Sequence, residues 1–337
     1  PSRVVPLKFL GGLLGMGTGL ALGREGPTIQ MGATMANTVA RWLRCGKRLS
    51  TELQAALGGA GLAVAFNAPM GGTVFVFEEV TRSFKPRLMV VALISTATAI
   101  AVARLLIGSQ PDFQVVPPPP PPLWTLFLFG LMGGLVGVLG VLYNRLIVTG
   151  LDLAASLKCL PFEARAALAG GMVGCFAWFY PALVGPGDGI TQQVLHGTSS
   201  LMPLLFILLI RWVLGPLSYA AGTPGGLFSP LLVIGAVLGA AFAHLFDHTF
   251  PEVGGVTPVA FAVAGMGAFF TAVVRAPLTG VILITEMTGV HTLMAPMMAA
   301  AFGAMLTASL AGGPPIYDTL RERMTASTRK SATESGK

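Results

Sequence analysis

Glycine and proline interrupt almost every apolar run of this chain, and that pattern constrains the fold more than any single motif. Apolar segments lie at 6–22, 27–43, 53–66, 70–77, 88–107, 123–149, 165–184, 201–221, 227–246, 257–273, 277–285 and 293–311. Several fall short of the roughly 20 residues that carry a helix across a bilayer. Hydrophobic residues make up 53% of the sequence and charged residues 10%, against roughly 25% charged in a soluble domain, so the chain reads as a polytopic membrane protein. Broken helices survive at membrane depth only where neighbouring protein or a water-filled cavity satisfies their free backbone groups. The expected fold class is therefore all-α, with many short, tilted and broken helices packed on one another.

The net charge of +7 does not mark a nucleic-acid partner. Lys and Arg sit in short clusters beside apolar spans, as the positive-inside rule expects of cytoplasmic loops. Cys45, Cys159 and Cys175 stand far apart with no C-x-x-C spacing, which supports neither a disulfide framework nor a zinc site. No H-E-x-x-H occurs, and the stretch from His196 to Ser199 has no paired base at a recognisable spacing, so an intramembrane enzyme is a remote alternative. A cation antiporter would place acidic pairs inside its spans. Most span interiors here lack acids while the loops present helix starts, which favours an anion.

A repeat divides the chain about the proline run Pro117–Pro122, a stiff extended spacer within the connection 108–122. Gly23-Arg24-Glu25-Gly26-Pro27 followed by Gly32-Ala33 matches Gly226-Leu227-Phe228-Ser229-Pro230 followed by Gly235-Ala236. Downstream, Ala68-Pro69 leading to Glu78 matches Ala276-Pro277 leading to Glu286. Interrupted apolar segments at corresponding places in two halves point to a transporter's midplane binding site. Flank charge orients the halves. The unit 51–79 lies between Arg41, Arg44, Lys47 and Arg48 on one side and Arg82, Lys85 and Arg87 on the other, so it enters from the cytoplasm, breaks at Asn67-Ala68-Pro69 and returns. Its partner unit 257–285 is flanked by Asp247, Glu252 and Glu286 and reads as external, which predicts an inverted repeat.

Within the first motif, the spacing predicts a helix over 28–43 with Pro27 in its first turn, where a missing N–H costs nothing. A helix start carries unpaired N–H groups and partial positive charge, so it binds anions, and a carboxylate there can occupy the site itself. Taken alone, Glu25 is the occupant of such a site, or its gate, or a loop residue capping a helix beside Arg24.

With these motifs and the later Pro314-Pro315-Ile316-Tyr317 in hand, the chain resembles the CLC family of chloride channels and chloride/proton exchangers, in its prokaryotic form without CBS domains. The resemblance implies an inverted-repeat fold, a homodimer, chloride and protons as the transported partners, and no cofactor beyond chloride as bound substrate. It places the protein in a bacterial inner membrane with a cytoplasmic C-terminus. Glu25 corresponds to the external gating glutamate and Glu79 to the internal proton-transfer glutamate. Backbone N–H groups of Gly26, Leu227, Phe228 and Ser229 would line the anion path, with the Tyr317 hydroxyl bounding it internally and Arg24 supplying field at the outer mouth. Fixed N–H dipoles suit a dehydrated anion, because full charges would bind it too tightly to release.

Two alternatives stay open on these residues. Glu79 aligns with Met287 in the repeat, so it is either the proton-transfer site of an exchanger or a solvated Glu paired with Arg82 in a passive anion channel. Glu78, aligned with Glu286, suggests a shared structural role through local hydrogen bonds. The domain plan expected is the later part of a first repeat over 1–110, a Pro-rich connection over 111–122, a second repeat over 123–324 and a polar cytoplasmic tail over 325–337. The family's inner serine segment has no counterpart here. In the second half 103 residues separate Leu123 from Gly226, whereas 22 precede Gly23. Repeat symmetry then implies about 80 further residues upstream, enough for three or four helices, and little selective transport from these residues alone.

Overall fold

In the computed structural model, residues 3–157, 159–197, 199–250 and 257–335 are described. Helices α1 (Val4–Gly17), α2 (Glu25–Trp42), α3 (Lys47–Ala65), α4 (Pro69–Phe75) and α5 (Pro86–Ile107) form the first half. The second comprises α6 (Thr125–Ser156), α7 (Phe162–Phe179), α8 (Asp188–Leu195), α9 (Leu201–Ala220), α10 (Phe228–Thr249), α11 (Pro258–Val274), α12 (Pro277–Thr288), α13 (Met294–Leu310) and α14 (Ile316–Ser335). Among the described residues there is no β-strand, only a single antiparallel pair between Gly23 and Gly226. The chain is a membrane protein with an inverted-repeat helical fold.

Helices α5, α6, α9 and α10 are long and apolar enough to span a bilayer. At 32 residues, α6 would be about 48 Å long by the helical rise, more than the roughly 30 Å hydrocarbon core, so it tilts within the core or projects beyond it. Its outward residues Phe127, Leu131, Leu135 and Val138 are exposed, as are Leu105 and Leu106 of α5, a surface suited to lipid tails and not to water.

The repeat motifs become matching joints. Asn67 and Arg275 both adopt left-handed backbone (φ 48° and 70°) immediately before Ala68-Pro69 and Ala276-Pro277. The alanines are then held out of helical geometry (φ −123° and −120°), as a following proline demands. Asn tolerates the left-handed region; Arg does not do so readily. The Arg275 guanidinium compensates by donating to Ser309 Oγ at 2.8 Å and to the carbonyls of Ala308 and Gly313, closing the end of α13. The second glycine of each motif is a close-approach point. A Cβ on Gly32 would strike the Leu57 carbonyl, and one on Gly235 the Gly265 carbonyl, which lets α2 rest on α3 and α10 on α11 at backbone distance.

Glu78 and Glu286 correct the expectation of local hydrogen bonding. Glu78 accepts from the backbone N–H groups of Leu278 (3.1 Å) and Thr279 (2.7 Å), and Glu286 from those of Met70 (3.1 Å) and Gly71 (2.7 Å). Each carboxylate therefore caps the half-helix of the opposite repeat.

Three other details differ from the sequence reading. Helix α2 begins at Glu25, which makes Glu25 part of its first turn. Within the region expected as a polar tail, α14 continues to Ser335, a structure the sequence reading did not assign. The proline spacer is preceded by a tethered stretch: Asn67 donates to Gln110 O (2.7 Å), Phe113 N–H to Met287 O (2.9 Å), and Gln192 and Gln114 bond reciprocally. Glu252, used for orientation, lies outside the described residues.

Candidate functional site

The joint at the centre of the molecule is built from the two leading motif glycines. Gly23 N–H donates to Gly226 O and Gly226 N–H to Gly23 O, both at 2.8 Å, which locks the start of α2 against the start of α10. Ser218 at the end of α9 adds a third tie by accepting from the Ala21 N–H at 2.9 Å. Two helix N-termini, each with unpaired N–H groups and partial positive charge, thereby face one point.

Glu25 occupies that point. The residue is 1% exposed, and its Oε1 accepts the Phe228 N–H at 2.6 Å. Its Oε2 is buried without a hydrogen-bond partner. A Cβ on either Gly23 or Gly226 would collide with this carboxylate, so glycine at both motif positions makes room for it. The Phe228 ring turns away into the core, 4.5 Å from the Phe270 ring and 5.7 Å from those of Phe66 and Phe75.

Beside that point lies a cavity of about 340 Å³ whose lining includes Glu25, Glu79, Tyr219, Gly226, Leu227 and Tyr317. Glu79 sits on a widened, π-helical turn, Val76–Val80, that continues α4. Such turns insert one residue into a helix and re-aim the side chains around it. Here Glu78 turns to the α12 cap while its neighbour Glu79 is 4% exposed and reaches the cavity. Glu79 Oε2 lies 3.8 Å from the Arg82 guanidinium, which is itself hydrogen-bonded to Asp318 of α14 at 2.7 Å. Glu79 Oε1 has no hydrogen-bond partner. The pairing with Arg82 and the place on the cavity thus hold together.

The structure brings together most of the residues singled out from sequence. Gly26, Leu227 and Tyr317 share the cavity with Glu25 and Glu79, and Phe228 joins them through its N–H. Ser229 is buried in the first turn of α10 behind Phe228, away from the cavity lining. Arg24 stands apart: its guanidinium is half exposed, pairs with Asp112 of the connection at 2.9 Å, and borders a separate recess with Asn67 and Gln110. Burial pushes the Asp112 carboxyl above its usual range despite this partner. Tyr219, in the last turn of α9, was not anticipated. Its one sequence signal is a polar-tipped aromatic at the end of an apolar span, three residues before Gly222. Among the described residues no group of His, Cys, Asp or Glu could hold a metal ion.

Comparisons with known proteins identify the family. Residues 1–309 match the model of a family described as voltage gated chloride channel. The chain is 39% identical over 328 residues to the H(+)/Cl(-) exchange transporter ClcA of Vibrio cholerae, covering 95% of this chain and 70% of that protein. It is 37% identical over 327 residues to the ClcA of Vibrio campbellii, with the same coverage. The crystal structure of a slow cyanobacterial Cl−/H+ antiporter superimposes with a TM-score of 0.90 at 33% identity, covering 96% of this chain and 76% of that one.

Proposed function

The chain belongs to the voltage gated chloride channel family, and on that premise we propose that it exchanges chloride for protons across a membrane. The single observation that carries this reading is the Glu25 carboxylate seated on the Phe228 N–H at a cavity it shares with Glu79. A carboxylate oxygen held by helix-terminal N–H dipoles stands where a transported anion would be bound. The N–H groups of Gly26, Leu227 and Phe228 serve as donors along the path, with that of Ser229 next to them in the first turn of α10 although its side chain lies off the cavity; the Tyr317 hydroxyl bounds the path on the inner side, and the Arg24 charge acts from a separate recess at the outer mouth.

Competition between Glu25 and chloride follows from these positions. While ionised, Glu25 holds the Phe228 donor and excludes the anion. Protonation removes its charge and weakens its claim on the N–H, so chloride can take the site as the carboxyl swings away. Glu79 exchanges the same proton with the inner solution, its charge moderated by Arg82. In this reading the protein is a homodimer in a bacterial inner membrane, with a cytoplasmic C-terminus and no cofactor.

The test is a reversal potential in reconstituted protein under opposed chloride and pH gradients. An exchanger reverses at a potential that moves with both gradients. Reversal fixed at the chloride equilibrium potential, whatever the pH gradient, means a passive channel in which Glu79 is only the partner of Arg82.

A further inference from the structure

Two phenols, not one, face the cavity between Glu25 and Glu79. Tyr317 comes from the first turn of α14 and Tyr219 from the last turn of α9. The Tyr219 ring is wedged between the main apolar core and the smaller cluster around Leu20, Leu22 and Leu214, which fixes its direction. Among the described residues neither hydroxyl has a protein hydrogen-bond partner, and neither is sealed in the core. Tyr219 also borders a second recess of about 510 Å³ with Gln30, Thr223 and Gly225, so it stands in the wall between two recesses.

We propose that Tyr219 is a second hydroxyl donor to the transported anion, lining the same cavity as Tyr317; this rests on the exchange reading above. A phenol keeps its proton at neutral pH and offers one donor with no net charge. Such a group adds to the binding of a small monovalent anion without the trapping that a Lys or Arg would cause. The backbone donors lie at the Glu25 end of the cavity, and Phe228 N–H is already occupied by the carboxylate. An anion waiting on the inner side therefore needs donors from elsewhere, and the two hydroxyls are placed to supply them. The placement assigns Tyr219 to the anion when Glu25 is seated, and predicts that its loss weakens anion binding more than proton transfer.

The experiment is calorimetric titration of purified protein with sodium chloride, wild type beside Tyr219→Phe, with the chloride-to-proton flux ratio and the melting temperature measured on the same samples. Tyr219→Phe keeps the ring and its packing and removes only the donor. The expected result is a chloride Kd about tenfold weaker, the scale of one hydrogen bond to a charged group, with the melting temperature unchanged and proton flux reduced less than chloride affinity. Wild-type affinity in Tyr219→Phe overturns the inference, and so does a loss of affinity that appears only with a lowered melting temperature. If wild type itself neither binds chloride nor couples it to protons, the exchange reading fails, a result distinct from either of these.

Discussion

Glu78 and Glu286 cap each other's repeat: each ends one returning half-helix and takes the first N–H groups of the other, at 2.7 to 3.1 Å. The two pairs of bonds are related by the same pseudo-symmetry that relates the sequence motifs, and they cross between α4 and α12. Half-helices inside a membrane have no water to satisfy their ends, so these caps answer a need the bilayer leaves open.

Removing either cap should therefore destabilise the fold by a similar amount. Glu78→Ala and Glu286→Ala are each expected to cost about 1–2 kcal/mol, because two N–H groups lose their acceptor. Thermal unfolding in detergent checks this, with transport per folded protein unchanged. A large effect from one and none from the other would show that the caps are not equivalent.

Gly226→Ala is expected to cut exchange at least tenfold, since its Cβ would enter the space held by Glu25 Oε1 and the seat of the carboxylate would be lost. Gly170→Ala is the matched control: a Cβ there meets nothing within 4 Å. Chloride efflux from liposomes at equal protein loading compares the two. Equal rates would mean that Glu25 does not need this seat.

Glu25→Gln presents a neutral side chain in the position of the protonated gate. The variant is expected to pass chloride without proton movement and without dependence on external pH, whereas wild type slows as external pH rises and Glu25 ionises. Flux through Glu25→Gln that still tracks external pH would remove Glu25 from the gating role.

Much of this arrangement was legible in the chain because it is written locally. Ala68-Pro69 and Ala276-Pro277 announce breaks by the steric effect of proline on its neighbour, and the motif glycines announce close approach before it is seen. The partners across the fold were not legible. Nothing near Glu78 in sequence says that its acceptors' donors lie 200 residues away on α12, and the natural guess was a local bond. Tyr219 was missed for a similar reason: an aromatic at the end of an apolar span reads equally well as an interfacial anchor, and only the fold turns it toward the cavity.

The most direct measurement of the central claim is proton uptake into liposomes driven by a chloride gradient, for wild type and Glu79→Gln. Wild type should take up protons against their gradient as chloride leaves, and Glu79→Gln should keep chloride flux while losing proton uptake altogether. Proton uptake by Glu79→Gln at the wild-type rate would contradict the account, leaving Glu79 as no more than the buried partner of Arg82.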